Sequence, residues 1–213
     1  MKGYIFDLDG VLTDTAHYHY LAWRETADAL GIPFTLADNA HLKGVSRRES
    51  LLWILNHGGR TLEEETLQTL MEAKNTRYLQ LIDGITARDL LPGVEAYLQA
   101  LKAHRKQIIL GSSSRNAVTI LTHLGILHYF DVVVDGNGLR YAKPDPEVFL
   151  TGAQRAGLPP EECLVFEDAA AGITAAKAAG MLAVAVGGGP ELSDAHLRIT
   201  GFDTPEALAL LTR

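Results

Sequence analysis

Short apolar runs recur along the chain at residues 4–6, 108–110, 132–134, 164–166 and 182–186. Each run is continuous rather than alternating, and the set is rich in β-branched residues. That is the pattern of strands covered on both faces, and it predicts a parallel sheet. Between the runs lie stretches of helical length with start and stop signals: 92–104, 116–124 before Gly125, 146–156 before Gly157 and 169–179 before Gly180. Strand alternating with helix predicts an α/β fold, a doubly wound, Rossmann-like parallel-sheet core. The stretch from Thr15 to Ala87 breaks this rhythm, with helical periodicity and no strand. Its predicted helices are 16–30, 47–56 and 62–82, punctuated by Gly31-Ile32-Pro33 and His57-Gly58-Gly59. The expected division is a core of residues 1–14 and 88–213 and an inserted α-helical cap of residues 15–87, placed where a lid would be.

Composition narrows this picture little. The 213 residues are 47% hydrophobic and 21% charged, with a mean hydropathy of +0.05, an ordinary globular balance with room for one core and a small insert. Charge excludes more. A net charge of −7 argues against a nucleic-acid partner, since the densest basic run is Arg47-Arg48. The single cysteine, Cys163, can close no internal disulfide, and the first residues enter a strand-like run without a charged-then-apolar leader. A cytoplasmic monomer with no membrane partner is the expectation.

Ligands of open α/β sheets bind beyond the carboxyl ends of the strands, so the residues just after each apolar run carry the functional information. Here they are Asp7 and Asp9, then Gly111-Ser112-Ser113-Ser114, then Lys143-Pro144 after a loop, then Glu167-Asp168. Four strand ends deliver carboxylates, hydroxyls and one ammonium to a single edge. Asp7 and Asp9 are two apart, so in extended chain both lean the same way while Leu8 enters the core. Carboxylates so close resist joint ionisation unless a proton, a metal or a cation such as Lys143 intervenes. With Asp168, and Glu167 beside it, they make an all-oxygen set suited to Mg²⁺ rather than zinc. A carboxylate nucleophile attacking a phosphoryl group needs such positive charge and donors around the phosphoryl oxygens, and Lys143 and Ser112 are candidates to supply them.

At Asp7-Leu8-Asp9-Gly10-Val11, Ser112, Lys143-Pro144 and Glu167-Asp168, in that order, the sequence resembles the haloacid dehalogenase superfamily. Thr13-Asp14-Thr15-Ala16-His17-Tyr18-His19, Trp23, Leu42-Lys43-Gly44-Val45-Ser46-Arg47, Lys74-Asn75 and Leu91-Pro92-Gly93 make it most similar to the β-phosphoglucomutase branch. The resemblance implies a Mg²⁺-dependent phosphomutase acting on a small sugar phosphate, with Asp7 forming an aspartyl phosphate and Asp9 as acid and base. It implies that Mg²⁺ sits on the Asp7 carboxylate, the Asp9 backbone carbonyl and Asp168, assisted by Glu167. It assigns a distal phosphate to Arg47, Ser114 and Asn116, with Ser113 and Arg115 alongside, and the sugar to Lys43, Gly44, Val45 and Trp23. His19 and Lys74 resemble the pair that couples lid closure to Asp9, with Thr15 at the hinge. Read as residues alone, His19 is equally packed core, Trp23 is core more readily than a sugar platform, and Ser114 or Asn116 can serve as a helix cap. A sugar-phosphate phosphatase, or a mutase for a disaccharide phosphate, remains an alternative. Two stretches depart from the family pattern: the segment 135–141, which predicts a Gly-rich hairpin, and Ala169-Ala170-Ala171, where polar residues are usual.

Overall fold

The computed structural model describes all of residues 1–213. Six strands form one wholly parallel sheet in the order β3-β2-β1-β4-β5-β6. They are β1 (Gly3–Phe6), β2 (Gln107–Gly111), β3 (Val132–Val134), β4 (Cys163–Glu167), β5 (Leu182–Val186) and β6 (Leu197–Ile199). This is the doubly wound arrangement, in which the order reverses at β1 and leaves a crevice at its carboxyl end. Alternation along β1 divides its neighbours: Ile5 joins Ile109, Val165, Ala183 and Ala185 in one buried cluster under α7 (Glu147–Arg155) and α8 (Ala170–Ala178). On the other side Phe6 stacks on Phe166 at 4.8 Å and meets Tyr97 of α5 (Val94–Ala103) edge-on. Tyr4, fully buried there, donates its hydroxyl proton to the carbonyl of Leu210 in α9 (Pro205–Leu210).

The chain contacts fall into two units, Met1–Asp14 with Ile85–Arg213, and Thr15–Gly84. In the first, the outgoing and returning segments are stitched together. Thr13 donates to the carbonyl of Asp89 at 2.8 Å, and Leu91 N–H to Leu12 at 2.9 Å. The second unit contains α1 (Ala16–Ala29), α2 (Leu36–Ala40), α3 (Arg47–His57) and α4 (Glu64–Ile82). Trp23, Ile32, Phe34, Leu51, Ile54, Leu67 and Met71 form its core. A reciprocal capping box of Ser46 and Glu49 starts α3, and so fixes Arg47 as its first residue.

One expectation fails. The segment 135–141 contains no strand and no hairpin. Three of its backbone donors are taken by side chains, and the Gly136 N–H by the Ser114 carbonyl at 3.1 Å. Asn137 N–H goes to Asp135 Oδ1 at 2.9 Å, and the N–H groups of Arg140 and Tyr141 both go to Glu147 Oε2. The α6 helix (Ala117–His123) completes the first unit, together with two elements without strong sequence signals, β6 and α9.

Candidate active site

The register of the sheet sets the first group of functional side chains. Phe6 pairs with Leu110 on one side and Phe166 on the other, so the next residue in each strand direction falls at one level: Asp7, Gly111 and Glu167. The Asp7 N–H is held by the Phe166 carbonyl at 3.0 Å. Into this level comes the Lys143 ammonium, 2.7 Å from Asp7 Oδ1 and 2.5 Å from Glu167 Oε1, with only 1% of its side chain exposed. Ala169 N–H donates to the other Glu167 oxygen at 3.0 Å. The loop carrying Lys143 turns through a cis peptide to Pro144.

Carboxylate oxygens of Asp7, Glu167 and Asp168 all lie within 4.8 Å of one another. Two glycines make room for them. A Cβ at Gly10, whose φ is +74°, would overlap the Asp168 carboxylate, and one at Gly172 would overlap that of Glu167. Two of these carboxylates, Asp7 and Glu167, share the one Lys143 ammonium. Burial is the largest influence on Glu167; Lys143 opposes it and the Asp7 and Asp168 charges reinforce it, and its carboxyl is pushed up to about 7. Burial acts downward on Lys143, but Asp7 and Glu167 outweigh it and the ammonium is held well above its ordinary range. Three close, oxygen-only acidic groups are of the kind that suits a hard divalent cation. The Asp9 side chain is not among them.

Next to the acid cluster runs the loop after β2. Ser112 is buried, ties its N–H to the Val134 carbonyl, and accepts the N–H of Ser114 on its Oγ at 3.1 Å. Ser114 Oγ in turn accepts the N–H of Asn116. Asn116 occupies the N-cap of α6, yet its side chain makes no capping bond. Ser113 carries a buried hydroxyl with no hydrogen-bond partner within the protein, able to donate to or accept from a group bound beside it. Arg115 is exposed, and its carbonyl accepts from the Asn137 amide at 3.0 Å. A Cβ at Gly136 would overlap the Ser113 carbonyl, so the 135–137 segment buttresses this loop from behind. Nothing in the sequence pattern marked Asp135, Gly136 and Asn137 for that task.

The second unit gathers its own polar group. Arg47 donates through Nη2 to Asn75 Oδ1 at 2.7 Å. Lys74, 3% exposed, places its ammonium 2.9 Å from His19 Nδ1. Burial first, then the positive charges of Lys74 and Arg47, push His19 well below its ordinary range. The imidazole is therefore neutral. An ammonium has only protons to give, so Nδ1 accepts and Nε2 carries the hydrogen. Lys43 is exposed, followed by Gly44 at φ +75° and a half-buried Val45. Thr15 is buried at the N-cap of α1 and accepts the His19 N–H on its carbonyl at 3.0 Å. Trp23 is 2% exposed, within the core of this unit, and offers no open face to a sugar.

Residues 1–180 match the family model described as haloacid dehalogenase-like hydrolase. The chain belongs to that family. It is 48% identical to a β-phosphoglucomutase of Bacillus subtilis, over 92% of this chain and 88% of that protein. Among solved structures, the β-phosphoglucomutase of Clostridium difficile superposes with a TM-score of 0.94 at 42% identity, covering 99% of this chain and 96% of the other. The fructose-1-phosphate phosphatase YqaB of Escherichia coli is 35% identical over 86% of this chain and 95% of that protein. Enzymes that move a phosphoryl group and enzymes that release it thus both stand among the relatives.

For this haloacid dehalogenase-like protein the crowding of carboxylates has a measurable consequence. Burial, with the Asp7 and Asp168 charges, holds the Glu167 carboxyl up from 4.5 to about 7. Between those values the folded chain keeps a proton that the unfolded chain releases, so stability without metal falls as pH rises through this window. A divalent cation binds most tightly where the carboxylates are ionised. Millimolar Mg²⁺ is expected to raise the thermal midpoint at pH 8 by several degrees more than at pH 5, by mass action on the folded state. Midpoints measured with Mg²⁺ and with EDTA at both pH values test this, and an equal gain at the two would refute it.

Proposed function

We propose that the chain interconverts β-D-glucose 1-phosphate and glucose 6-phosphate through an aspartyl phosphate on Asp7 and a 1,6-bisphosphate. The observation that carries the reading is the Asp7 carboxylate, seated at a strand end with Lys143 on one oxygen and two further carboxylates around it. In the proposed cycle an oxygen of Asp7 attacks the phosphorus of the bisphosphate. The bond from phosphorus to the sugar oxygen breaks, and Asp9 gives that oxygen its proton. Glucose 6-phosphate, freed at its 1-oxygen, leaves; the 6-hydroxyl of an incoming β-glucose 1-phosphate then loses its proton to Asp9 and attacks the acyl phosphate, which releases Asp7 as carboxylate and re-forms the bisphosphate. Lys143 and Ser112 donate to the transferring phosphoryl oxygens. A divalent cation on Asp7, Glu167, Asp168 and the Asp9 carbonyl, proposed as Mg²⁺, neutralises phosphoryl charge when bound.

The second phosphate is assigned to Arg47, whose planar fork suits phosphate, with Ser113, Ser114, Arg115 and Asn116. Lys43, Gly44 and Val45 are assigned to the sugar, and Thr15, His19 and Lys74 to setting Asp9. A monomer working in the cytoplasm completes the proposal; no helix is long and apolar enough to cross a membrane. The kinship to a fructose-1-phosphate phosphatase supports a second reading, in which water takes the place of the sugar hydroxyl.

A product assay on β-glucose 1-phosphate with Mg²⁺ and a trace of the 1,6-bisphosphate separates the two. Glucose 6-phosphate is the expected product, and inorganic phosphate without it would overturn the mutase reading. Arg47→Ala is expected to lower mutase kcat/KM by about 10- to 100-fold, the worth of charged hydrogen bonds. Hydrolysis of a small ester such as p-nitrophenyl phosphate should stay within about threefold, since a ligand lacking the second phosphate loses nothing. Parallel losses on both substrates would contradict the assignment of Arg47.

A further inference from the structure

The Lys74 ammonium lies 4.7 Å from the ring centre of Trp23 and 4.7 Å from that of Tyr78. Tyr78 also stacks on the His19 imidazole, with ring centres 4.2 Å apart at 29°. Trp23 and Tyr78 are at most 2% exposed. The spacing explains the assembly. His19 and Trp23 are four apart on α1, Lys74 and Tyr78 four apart on α4, so each pair shares a helix face and the two faces meet in a square. Beyond it, the exposed Arg77 grips both oxygens of Glu25 and holds the same two helices together.

We propose that Trp23 and Tyr78 are positioning residues whose ring faces hold the Lys74 ammonium against His19 Nδ1 and thereby fix His19 as the neutral Nε2–H tautomer. Ring faces attract a cation through their quadrupole without offering a full negative charge or a proton acceptor. The aromatic pair holds a buried ammonium whose positive charge, with that of Arg47, bears on the imidazole. The ring fixed by the stack can then present only Nε2–H as a donor. The relevance to turnover rests on the proposed role of His19 and Lys74 in setting Asp9, but the tautomer does not.

The test is ¹⁵N NMR of the His19 ring, assigned by its loss in His19→Gln, on the full chain without substrate and alongside the product assay. Wild type and Tyr78→Phe, which keeps the ring, are expected to show one Nε2–H tautomer. Tyr78→Leu is expected to show mixed tautomers or a protonated ring near neutral pH, with mutase kcat/KM down about tenfold and restored in Tyr78→Phe. Tyr78→Met and Trp23→Leu serve if Tyr78→Leu does not fold. A folded ring-less variant with an unchanged His19 spectrum overturns the proposal. Failure of the mutase reading is seen separately, as wild-type enzyme that yields no glucose 6-phosphate.

Discussion

Asp7→Asn is expected to lose turnover by about 10⁴-fold or more, the scale on which removing a covalent nucleophile acts, while the protein folds at least as stably as before. The two halves of this result have one origin. Asparagine is nearly the shape of aspartate, and its carbonyl can still accept the Lys143 ammonium that lies 2.7 Å from Asp7 Oδ1. What it lacks is a charged oxygen able to attack phosphorus and leave again. It also removes one of the negative charges that raise Glu167. In the metal-free protein the acid cluster is then less strained, and the thermal midpoint should hold or rise. The midpoint gain from Mg²⁺ should shrink, because one of the three clustered carboxylates is gone. Initial rates with bisphosphate, together with melts in Mg²⁺ and in EDTA, give both readouts. Residual activity above about one-hundredth of wild type would show that Asp7 is not the group phosphorylated.

That site was readable in advance because parallel sheets announce themselves twice. Their strands are continuous apolar runs, and the residues just past the end of each run share one edge of the sheet. Asp7, Ser112 and Glu167 stand just past apolar runs, Lys143 follows the third run through a loop, and the structure brings the side chains of Asp7, Lys143 and Glu167 together. Elements with weaker hydrophobic patterns escaped. β6 is Leu197-Arg198-Ile199, an edge strand with one exposed residue in the middle, too short to form a run. The helix α2 has five residues and α9 six, below the length at which periodicity declares itself.

The 135–141 segment misled because glycine and asparagine favour a hairpin turn and equally favour a loop. The choice was made by partners outside the segment, Glu147 and Arg115, which accept its hydrogen bonds. The aromatic square had a signal that went unused: His19 with Trp23 and Lys74 with Tyr78 are both spaced by four. Spacing says which residues share a helix face. That the two faces meet depends on the packing of α1 against α4, and this is decided by the whole unit rather than by either helix.

Lys143→Met tests whether charge balance or mere packing holds the acid cluster together. Methionine replaces most of the stem volume and keeps contact with Phe149, over whose ring the ammonium sits at 4.8 Å. What disappears is the cation between two carboxylates whose side chains are 11% and 1% exposed. Leaving buried charges without their partner costs about 3 to 5 kcal/mol, or about 6 to 20 °C in midpoint for a chain of this size. The loss should depend on pH with a definite sign. Without Lys143 the Glu167 carboxyl loses the cation that opposes its upward shift, so the folded state binds that proton more tightly than the unfolded state, and stability returns as pH falls. Urea unfolding should therefore show most of the deficit at pH 8 and little at pH 5, and millimolar Mg²⁺ should recover part of it at the higher pH. A deficit of the same size at both pH values, unmoved by Mg²⁺, would mean that the lysine fills space there and that the carboxylates do not feel its charge.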